Sequence, residues 1–379
     1  MVVLMLGWEL PPKISGGLGT ACAGLLKCLD SADELAINFV LPSVDGDENA
    51  CAAQLIGLGP QWRLAHRDRP REAYGAYVSL AQLYQSCVQS MHGAFGHYDV
   101  IHAHDWMTFG AAVYLKRASG KKLVLHVHST EYDRAGDFPD PAILHIERTS
   151  LHSADQIIAV SVYTKTLLVD RYGLDVNKIS VVYNWIECAP ISRAAPASRK
   201  VVSFIGRMTS QKGPEHFIES AFDIIERRSD VDIVMAGDGD LLALMKSIVA
   251  ASGMQHRFSF PGFVSQQEVL RILSGSALYV MPSRSEPFGI GAIDAISKKV
   301  PIVASHRCGF IELFPQVCAI DPEDIDGMTE ACLKLLDDPL YAKQMADAAY
   351  AALGEVKAEN VRNDLLEVYR RVLSERCHA

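Results

Sequence analysis

The sequence has no cysteine pair at C-x-x-C spacing, no unbroken apolar run of membrane-spanning length and no excess of positive charge. Its nine cysteines, Cys22, Cys28, Cys51, Cys87, Cys188, Cys308, Cys318, Cys332 and Cys377, are scattered and odd in number. That argues against a disulfide framework or a structural zinc site, and for small buried hydrophobes in a reducing compartment. A spanning helix needs about 18 or more consecutive apolar residues, and their lack excludes one. The 36 Lys and Arg stand against 45 Asp and Glu, a net charge of -9. With no cationic surplus to release phosphate counterions, nucleic acid is not expected as a partner. Met1–Glu9 lacks a basic start and a small-residue cleavage site. It reads as a first strand, not a signal peptide, and a cytoplasmic location is expected.

What is present is a globular chain of 379 residues, 49% hydrophobic and 21% charged, enough for two or three domains. Short apolar runs alternate with amphipathic segments. Val2–Gly7, Leu35–Leu41, Asp99–His102, Lys122–His128 and Gln156–Val160 read as strands, with helices at Gly17–Leu29, Trp106–Arg117, Ala142–His152 and Tyr163–Arg171 between them. The strands carry continuous Val, Ile and Leu, the mark of a parallel sheet covered on both faces. Ile186–Arg199, rich in Pro, Ala and Ser, reads as a linker, after which the pattern restarts. Strands are expected at Val201–Ile205, Asp232–Ala236, Ala277–Met281 and Pro301–Ala304, and helices at Pro214–Arg228, Leu241–Ala251, Ile290–Lys298, Pro322–Leu336, Leu340–Leu353 and Glu359–Glu375. The expected division is a first domain over 1–185, a linker over 186–199 and a second domain over 200–358, with the last helix, 359–379, joining the first. Residues 1–190 hold 15 Lys and Arg against 20 Asp and Glu, the remainder 21 against 25, so neither half is marked for a polyanion or a membrane.

Ligands of doubly wound sheets sit at the carboxyl ends of strands, which directs attention to the strand-to-helix turns. The first, Pro11-Pro12-Lys13-Ile14-Ser15-Gly16-Gly17-Leu18-Gly19, matches neither the dinucleotide fingerprint nor the Walker loop. Its glycines, Lys13 and the following helix start suit a phosphate or sugar, or simply a tight turn. Ile101–Trp106 and His126–Arg134 each end a strand in His-x-His. Alternate strand residues share a face, so His102 with His104, or His126 with His128, can hold a metal, contact a sugar hydroxyl or be structural. Arg207 and Lys212 flank the turn after Phe204-Ile205-Gly206 and can meet an anion or be solvated. In Pro282–Asp294, Glu286 lies on a loop, Gly289 and Gly291 open a helix whose amides can cradle an anion, and Asp294 lies one turn in. A capped helix with incidental acids fits the same residues.

Taken together, Trp8-Glu9 with Pro11–Gly19, His102-Ala103-His104-Asp105-Trp106, His128-Ser129-Thr130-Glu131, Gly206-Arg207 with Lys212-Gly213, Ala236-Gly237-Asp238-Gly239 and Ser285–Ile290 resemble the retaining glycosyltransferases of family four, nearest to the bacterial and archaeal glycogen and starch synthases. The resemblance covers nearly the whole chain. It implies a GT-B fold, an α/β arrangement of two Rossmann-like doubly wound domains facing a cleft, with the C-terminal helix crossing back to the first. It implies transfer of a hexose, glucose by preference, from a UDP- or ADP-sugar to a hydroxyl acceptor such as an α-glucan, with the anomeric configuration kept. By the same resemblance Arg207 and Lys212 hold the donor diphosphate, Glu286 stands near the sugar, Asp294 takes the ribose and the amides of Gly289 and Ile290 cap the phosphate. His128 touches the transferred sugar, Asp105 lines the acceptor side, and Gly16, Gly17 and Gly19, with Lys13, close over the donor. Trp8, Glu9, His104 and Trp185 are candidate acceptor contacts. No cofactor and no catalytic metal are expected. Two cations about 4 Å from the leaving diphosphate are each worth about 4 kcal/mol at an effective dielectric of 20, a large share of what a metal supplies. Asp45-Gly46-Asp47 and Asp238-Gly239-Asp240 can suggest an ion, but the resemblance implies that the latter is an ordinary turn.

Two positions depart from the family pattern. Asp294 replaces the usual Glu, with one methylene less reach. Asn184-Trp185-Ile186-Glu187 carries Trp185 where the family has glycine, either as a sugar platform or as packing. Arg63, Arg67, Arg69 and Arg71 with Trp62 and Tyr74 can grip a phosphorylated or lipid-linked acceptor or form a solvated face. Two further classes stay open: a metal hydrolase built on His102, His104, His126 and His128, and a nucleotide-sugar binder without catalysis. A glycosidase using Glu286 and Asp294 fits less well, since it would have no use for Arg207 and Lys212.

Overall fold

The computed structural model describes residues 1–12, 14, 16–30, 32, 34–44, 53–60, 62, 74–187 and 199–374. Lys13, Ser15, the Asp45-Gly46-Asp47 turn, Arg63, Arg67, Arg69, Arg71 and most of the linker lie outside them. The chain divides into two compact units, Met1–Ile186 with Lys357–Ala379, and Glu187–Val356.

The first unit is built on seven parallel strands: β1 Val2–Leu6, β2 Ala36–Leu41, β3 Ala53–Gly57, β4 Val100–His104, β5 Lys122–Val127, β6 Gln156–Ala159 and β7 Ile179–Val181. They run in the order β3-β2-β1-β4-β5-β6-β7. The chain reverses its direction of winding beside β1, whose neighbours are β2 and β4. Helices cover both faces: α1 Gly17–Leu29, α2 Tyr74–Met91, α3 Trp106–Ser119, the short α4 Glu131–Ala135, α5 Pro141–Ser153 and α6 Val162–Tyr172. One apolar layer holds Leu4, Leu6, Ile101, Phe109, Leu125 and Ile157. The other holds Val3, Met5, Leu25, Phe39, Val124 and Ile158, together with Leu365, Tyr369 and Val372. Those last three belong to the C-terminal helix, Ala358–Ser374, which returns to this unit and packs on α1 and β5.

The second unit repeats the scheme with β8 Lys200–Ile205, β9 Val231–Ala236, β10 Phe258–Gly262, β11 Leu278–Met281, β12 Ile302–Ser305 and β13 Cys318–Ile320, in the order β10-β9-β8-β11-β12-β13. Its helices are α7 Pro214–Arg227, α8 Leu242–Ala251, α9 Gln266–Gly275, α10 Ile290–Ser297, α11 Ile325–Asp337 and α12 Pro339–Leu353; Ala358–Ser374 is α13. Both sheets pair in parallel throughout, with helices between strands, so the fold is the two-domain GT-B type.

The nine strands read from the sequence are the interior ones. The four it omits, β3, β7, β10 and β13, are the four sheet edges. An interior strand such as β4 is buried at every residue, whereas β10 alternates between half-buried and exposed and contains Pro261 and a register shift. An edge strand is half solvated and needs no continuous apolar run. Helices α2, α4 and α9 are absent from the sequence reading too, the last although Ser265 and Glu268 form a capping box at its start. The helix expected from Pro322 begins at Ile325, because the Asp324 carboxylate caps it through the Gly327 amide.

Leu365 is fully buried in the layer between α1 and the sheet. Leu365→Ala is expected to lower stability by about 2–5 kcal/mol, read as a shift of the guanidinium midpoint of the transition that unfolds the first unit. An unchanged midpoint would show that α13 is not docked there.

Candidate functional site

In the second unit, two strand ends bring the expected groups together. After β8 the chain turns through Gly206–Thr209 into a short 3-10 turn, Ser210–Lys212, and enters α7. Gly213 joins the two with a φ of 66°, and a Cβ there would lie 2.5 Å from the Pro282 carbonyl oxygen. Only glycine lets these backbones approach so closely. The loop after β11 is drawn to the same place, with the Arg284 amide donating to the Gln211 carbonyl (2.9 Å) and the Gln211 side-chain amide to the Ser285 carbonyl (3.1 Å). This zipper sets the Lys212 ammonium directly against the Glu286 carboxylate. Both are mostly buried, and the Ser283 hydroxyl approaches the same carboxylate at 3.4 Å. Arg207 is exposed, with its guanidinium 3.3 Å from the Gln211 side-chain oxygen.

The Glu286 backbone is fixed from the other side, since its amide donates to the Arg307 carbonyl and its carbonyl accepts from Gly309. Gly289 then caps α10 with a φ of 107°, and a Cβ there would meet the Phe310 ring at 2.8 Å. No side chain caps the helix, so its first amides remain available to an anion. Asp294, buried on this helix, accepts from the Gln266 side-chain amide at 3.0 Å. Burial raises its carboxyl pKa, opposed by that hydrogen bond and by Lys298. Gln266 was not singled out from the sequence. It sits one residue after the Ser265 cap on the unread helix α9, so the capping signature was its available signal.

In the first unit, β4 and β5 carry the candidates. Register pairs His104 with His126, and alternation places His102 and His128 on the same face. Burial pushes His102 and His128 down to about 3, and His104 and His126 well below their ordinary value, so all four rings are neutral. His102 Nδ1 meets the Tyr369 hydroxyl of α13 at 2.6 Å, and His104 Nδ1 meets His128 Nε2 at 3.0 Å. The other described contacts leave His102 Nε2, His104 Nε2, both nitrogens of His126 and His128 Nδ1 without a partner among the described residues. Each buried orphan of this kind costs about 1–3 kcal/mol.

Asp105 stands between β4 and α3 with a φ of 58°, a conformation a side chain rarely adopts. Its buried carboxylate accepts the amides of His128 (2.7 Å) and Ser129 (3.2 Å), so it holds the turn that carries His128. Burial raises it to about 6 despite Arg134 and those amides. The same turn is braced from below. Arg134 donates to Glu147 on α5 (2.7 Å) and to the Ser129 carbonyl (3.4 Å), Glu147 also accepts the Glu131 amide (3.1 Å), and the Tyr172 hydroxyl of α6 donates to it. Glu147 and Tyr172 were not singled out from the sequence, because their partners are distant along the chain.

The remaining candidates are placed as follows. Gly16 and Gly17 are exposed at the start of α1, where the N-cap Gly16 offers no side-chain cap, while the Gly19 amide donates to Glu9 at 3.1 Å. Trp8 packs edge-on against Trp62 at 5.6 Å and beside Tyr84. Trp185 is half-buried and packs against the layer between α1 and α13. The Asp238-Gly239-Asp240 segment is a turn held against the turn after β8, with the Met208 amide donating to the Asp238 carbonyl.

Glu147 yields a pH prediction. Burial outweighs Arg134 and raises its pKa from 4.5 to about 7. A carboxyl raised in the folded state contributes stability that is complete below about 4.5 and lost as pH rises through about 7. Relative to wild type, Glu147→Gln is therefore expected to gain on the order of 3 kcal/mol between pH 4.5 and 8, measured by denaturant midpoints at each pH. A pH-independent difference would show that Glu147 is not buried as described.

Two family models divide the chain between them: one described as Glycosyltransferase Family 4 matches residues 15–189, and one described as Glycosyl transferases group 1 matches 190–352. An uncharacterised glycosyltransferase of Methanocaldococcus jannaschii is 27% identical over 397 aligned positions covering 98% of each chain. A glycogen synthase of Mycobacterium tuberculosis is 24% identical over 92% of this chain and 89% of its own. Among solved structures, a sucrose-phosphate synthase from Thermosynechococcus elongatus superposes with a TM-score of 0.81 at 17% identity, covering 99% of this chain and all of the other. The Anabaena protein HepE, solved with UDP and glucose, superposes with a TM-score of 0.74 at 18% identity over 98% of this chain and all of its own. These two likenesses concern the fold.

Proposed function

The chain belongs to the family 4 glycosyltransferases, enzymes that use a nucleotide sugar, and we propose that it moves a hexose, glucose by preference, from UDP- or ADP-sugar to a saccharide hydroxyl with retention of configuration. The observation that carries this reading is the contact of Lys212 with Glu286, three residues before the Gly289 start of α10, with an exposed Arg207 on the same turn as Lys212. Glucose and a glucan-like acceptor draw support from the relatives named as glycogen synthase and from the Anabaena structure with UDP and glucose.

Breaking the bond between the sugar and its nucleotide leaves an electron-poor anomeric carbon and a diphosphate gaining negative charge. In our reading Lys212 and Arg207 receive that charge, and the amides of Gly289 and Ile290 add oriented dipoles at a terminal phosphate. A cation held about 4 Å away in such a setting contributes about 4 kcal/mol, without a divalent ion. Glu286 orients the ammonium beforehand, so little reorganisation accompanies bond breaking. Asp294 takes the ribose, with Gln266 fixing its carboxylate. In the first unit His128 is assigned to a sugar hydroxyl, with Asp105 acting through the His128 amide as a positioning residue. Gly16, Gly17 and Gly19 at the start of α1 are assigned to donor contacts.

Lys212→Ala and Glu286→Ala are each expected to lower kcat/KM by about 100-fold or more, with the folded state retained. Product mass after a screen of UDP-, ADP- and GDP-sugars measures it, proton NMR of the product reads retention, and chelator treatment is expected not to lower the rate. Undiminished turnover in both variants would overturn the assignment. Asp294→Glu restores a methylene of reach and is expected to keep or improve nucleotide affinity in calorimetry. A tenfold loss would show that the Gln266 contact has tuned the site to the shorter acid.

A further inference from the structure

The proposed transfer uses one histidine of the first unit and leaves three unexplained. The four rings form a cluster, with centroids 4.4 Å apart for His102–His104, 5.1 Å for His104–His126 and 4.2 Å for the stacked pair His126–His128. Purely structural histidines hydrogen-bond through both nitrogens, and these do not among the described residues. Beside the cluster, α1 directs Cys22 inward. Its buried sulfur and one ring nitrogen each of His104 and His128 lie within 4.8 Å of one another.

We propose that Cys22, His104 and His128 form a binding site for one zinc-class cation, which shares only His128 with the groups assigned to the transferred sugar. The ligand types match: a thiolate and two neutral imidazoles suit a borderline transition metal, not magnesium or calcium. The spacing is within reach. Tetrahedral zinc holds its ligand atoms about 3.3–3.6 Å apart. The sulfur and the two ring nitrogens lie within 4.8 Å of one another, so binding draws them together by at most about 1.5 Å and replaces the 3.0 Å hydrogen bond between His104 Nδ1 and His128 Nε2. His128 is half-buried, which leaves a side for entry and for a fourth ligand from solvent. The alternative triple of His102, His104 and His126 is buried throughout and supplies no anionic ligand.

Binding releases one proton, that of the Cys22 thiol, to solvent. The hydrogen shared between His104 Nδ1 and His128 Nε2 shifts by tautomerisation to a nitrogen that now lacks a partner, so both rings stay neutral ligands. One consequence rests on the proposed function: a cation on His128 withdraws it from the sugar, so zinc is expected to slow transfer, not to support it.

The test uses the full chain, stripped with chelator and titrated with Zn2+ in a calorimeter and with Co2+ in a spectrophotometer. Expected are one ion per chain, a thiolate-to-cobalt charge-transfer band and the intense visible bands of tetrahedral cobalt. Cys22→Ser should abolish the charge-transfer band and weaken zinc at least about 100-fold, beyond the effect of losing a supporting partner. The half-buried His128→Asn should weaken zinc similarly, and the exposed His97→Asn should not. Zinc should slow transfer by wild type and not by Cys22→Ser. Equal zinc affinity in wild type, Cys22→Ser and His128→Asn, or cobalt bound without the charge-transfer band, overturns the site. If no variant transfers sugar at all, the proposed function fails, and the cobalt spectrum still decides the metal site.

Discussion

A parallel strand covered on both faces can place polar side chains cheaply only at its ends. Inside the sheet, backbone groups are committed to neighbouring strands and most side chains face apolar material, the buried histidines of β4 and β5 being the exception. At the carboxyl end the chain leaves the ladder, and the next helix presents unpaired amides. Both units obey this constraint. In the second, β8 and β11 end side by side, so Lys212 and Glu286, 74 residues apart in sequence, become contact partners. In the first, β4 and β5 end together, so Asp105 reaches the turn that carries His128.

The two units handle charge differently. The second pairs a cation with an anion and leaves Arg207 exposed nearby, an arrangement that can accept a further anion without first stripping water from an isolated buried charge. The first keeps its rings neutral through burial and commits its carboxylates to backbone amides and to Arg134. The strained backbone at Asp105 is maintained because two amides depend on its carboxylate. Glu147, Arg134 and Tyr172 stabilise the same turn from the side away from the sheet. A neutral, rigid face of imidazoles with a thiol beside it differs in kind from a phosphate site, which is why the two units support separate inferences.

Legibility in the sequence followed burial. Interior strands have continuous apolar runs because both faces are covered, and all nine were readable. Edge strands β3, β7, β10 and β13 have one covered side and short, mixed sequences, and none was. Motif residues were readable one by one, because glycine at a close approach or a cation beside a helix start has a local cause. Gln266 against Asp294, Tyr369 against His102 and Glu147 beneath Arg134 were not, since each joins elements far apart along the chain.

The amino-acid sequence alone settled the alternation of strands and helices, the two-domain α/β class, the restart of the pattern near residue 200 and the turns where ligand groups concentrate. These follow from local periodicity and from what glycine, proline and a helix start allow. Tertiary structure alone decided which of those groups meet. It set Lys212 on Glu286, turned the Asp105 carboxylate to the backbone, packed Trp185 against an apolar layer and aligned four histidines in register with Cys22 beside two of them. Strand order and register are products of long-range packing, and no local pattern encodes the distance between two side chains on different strands.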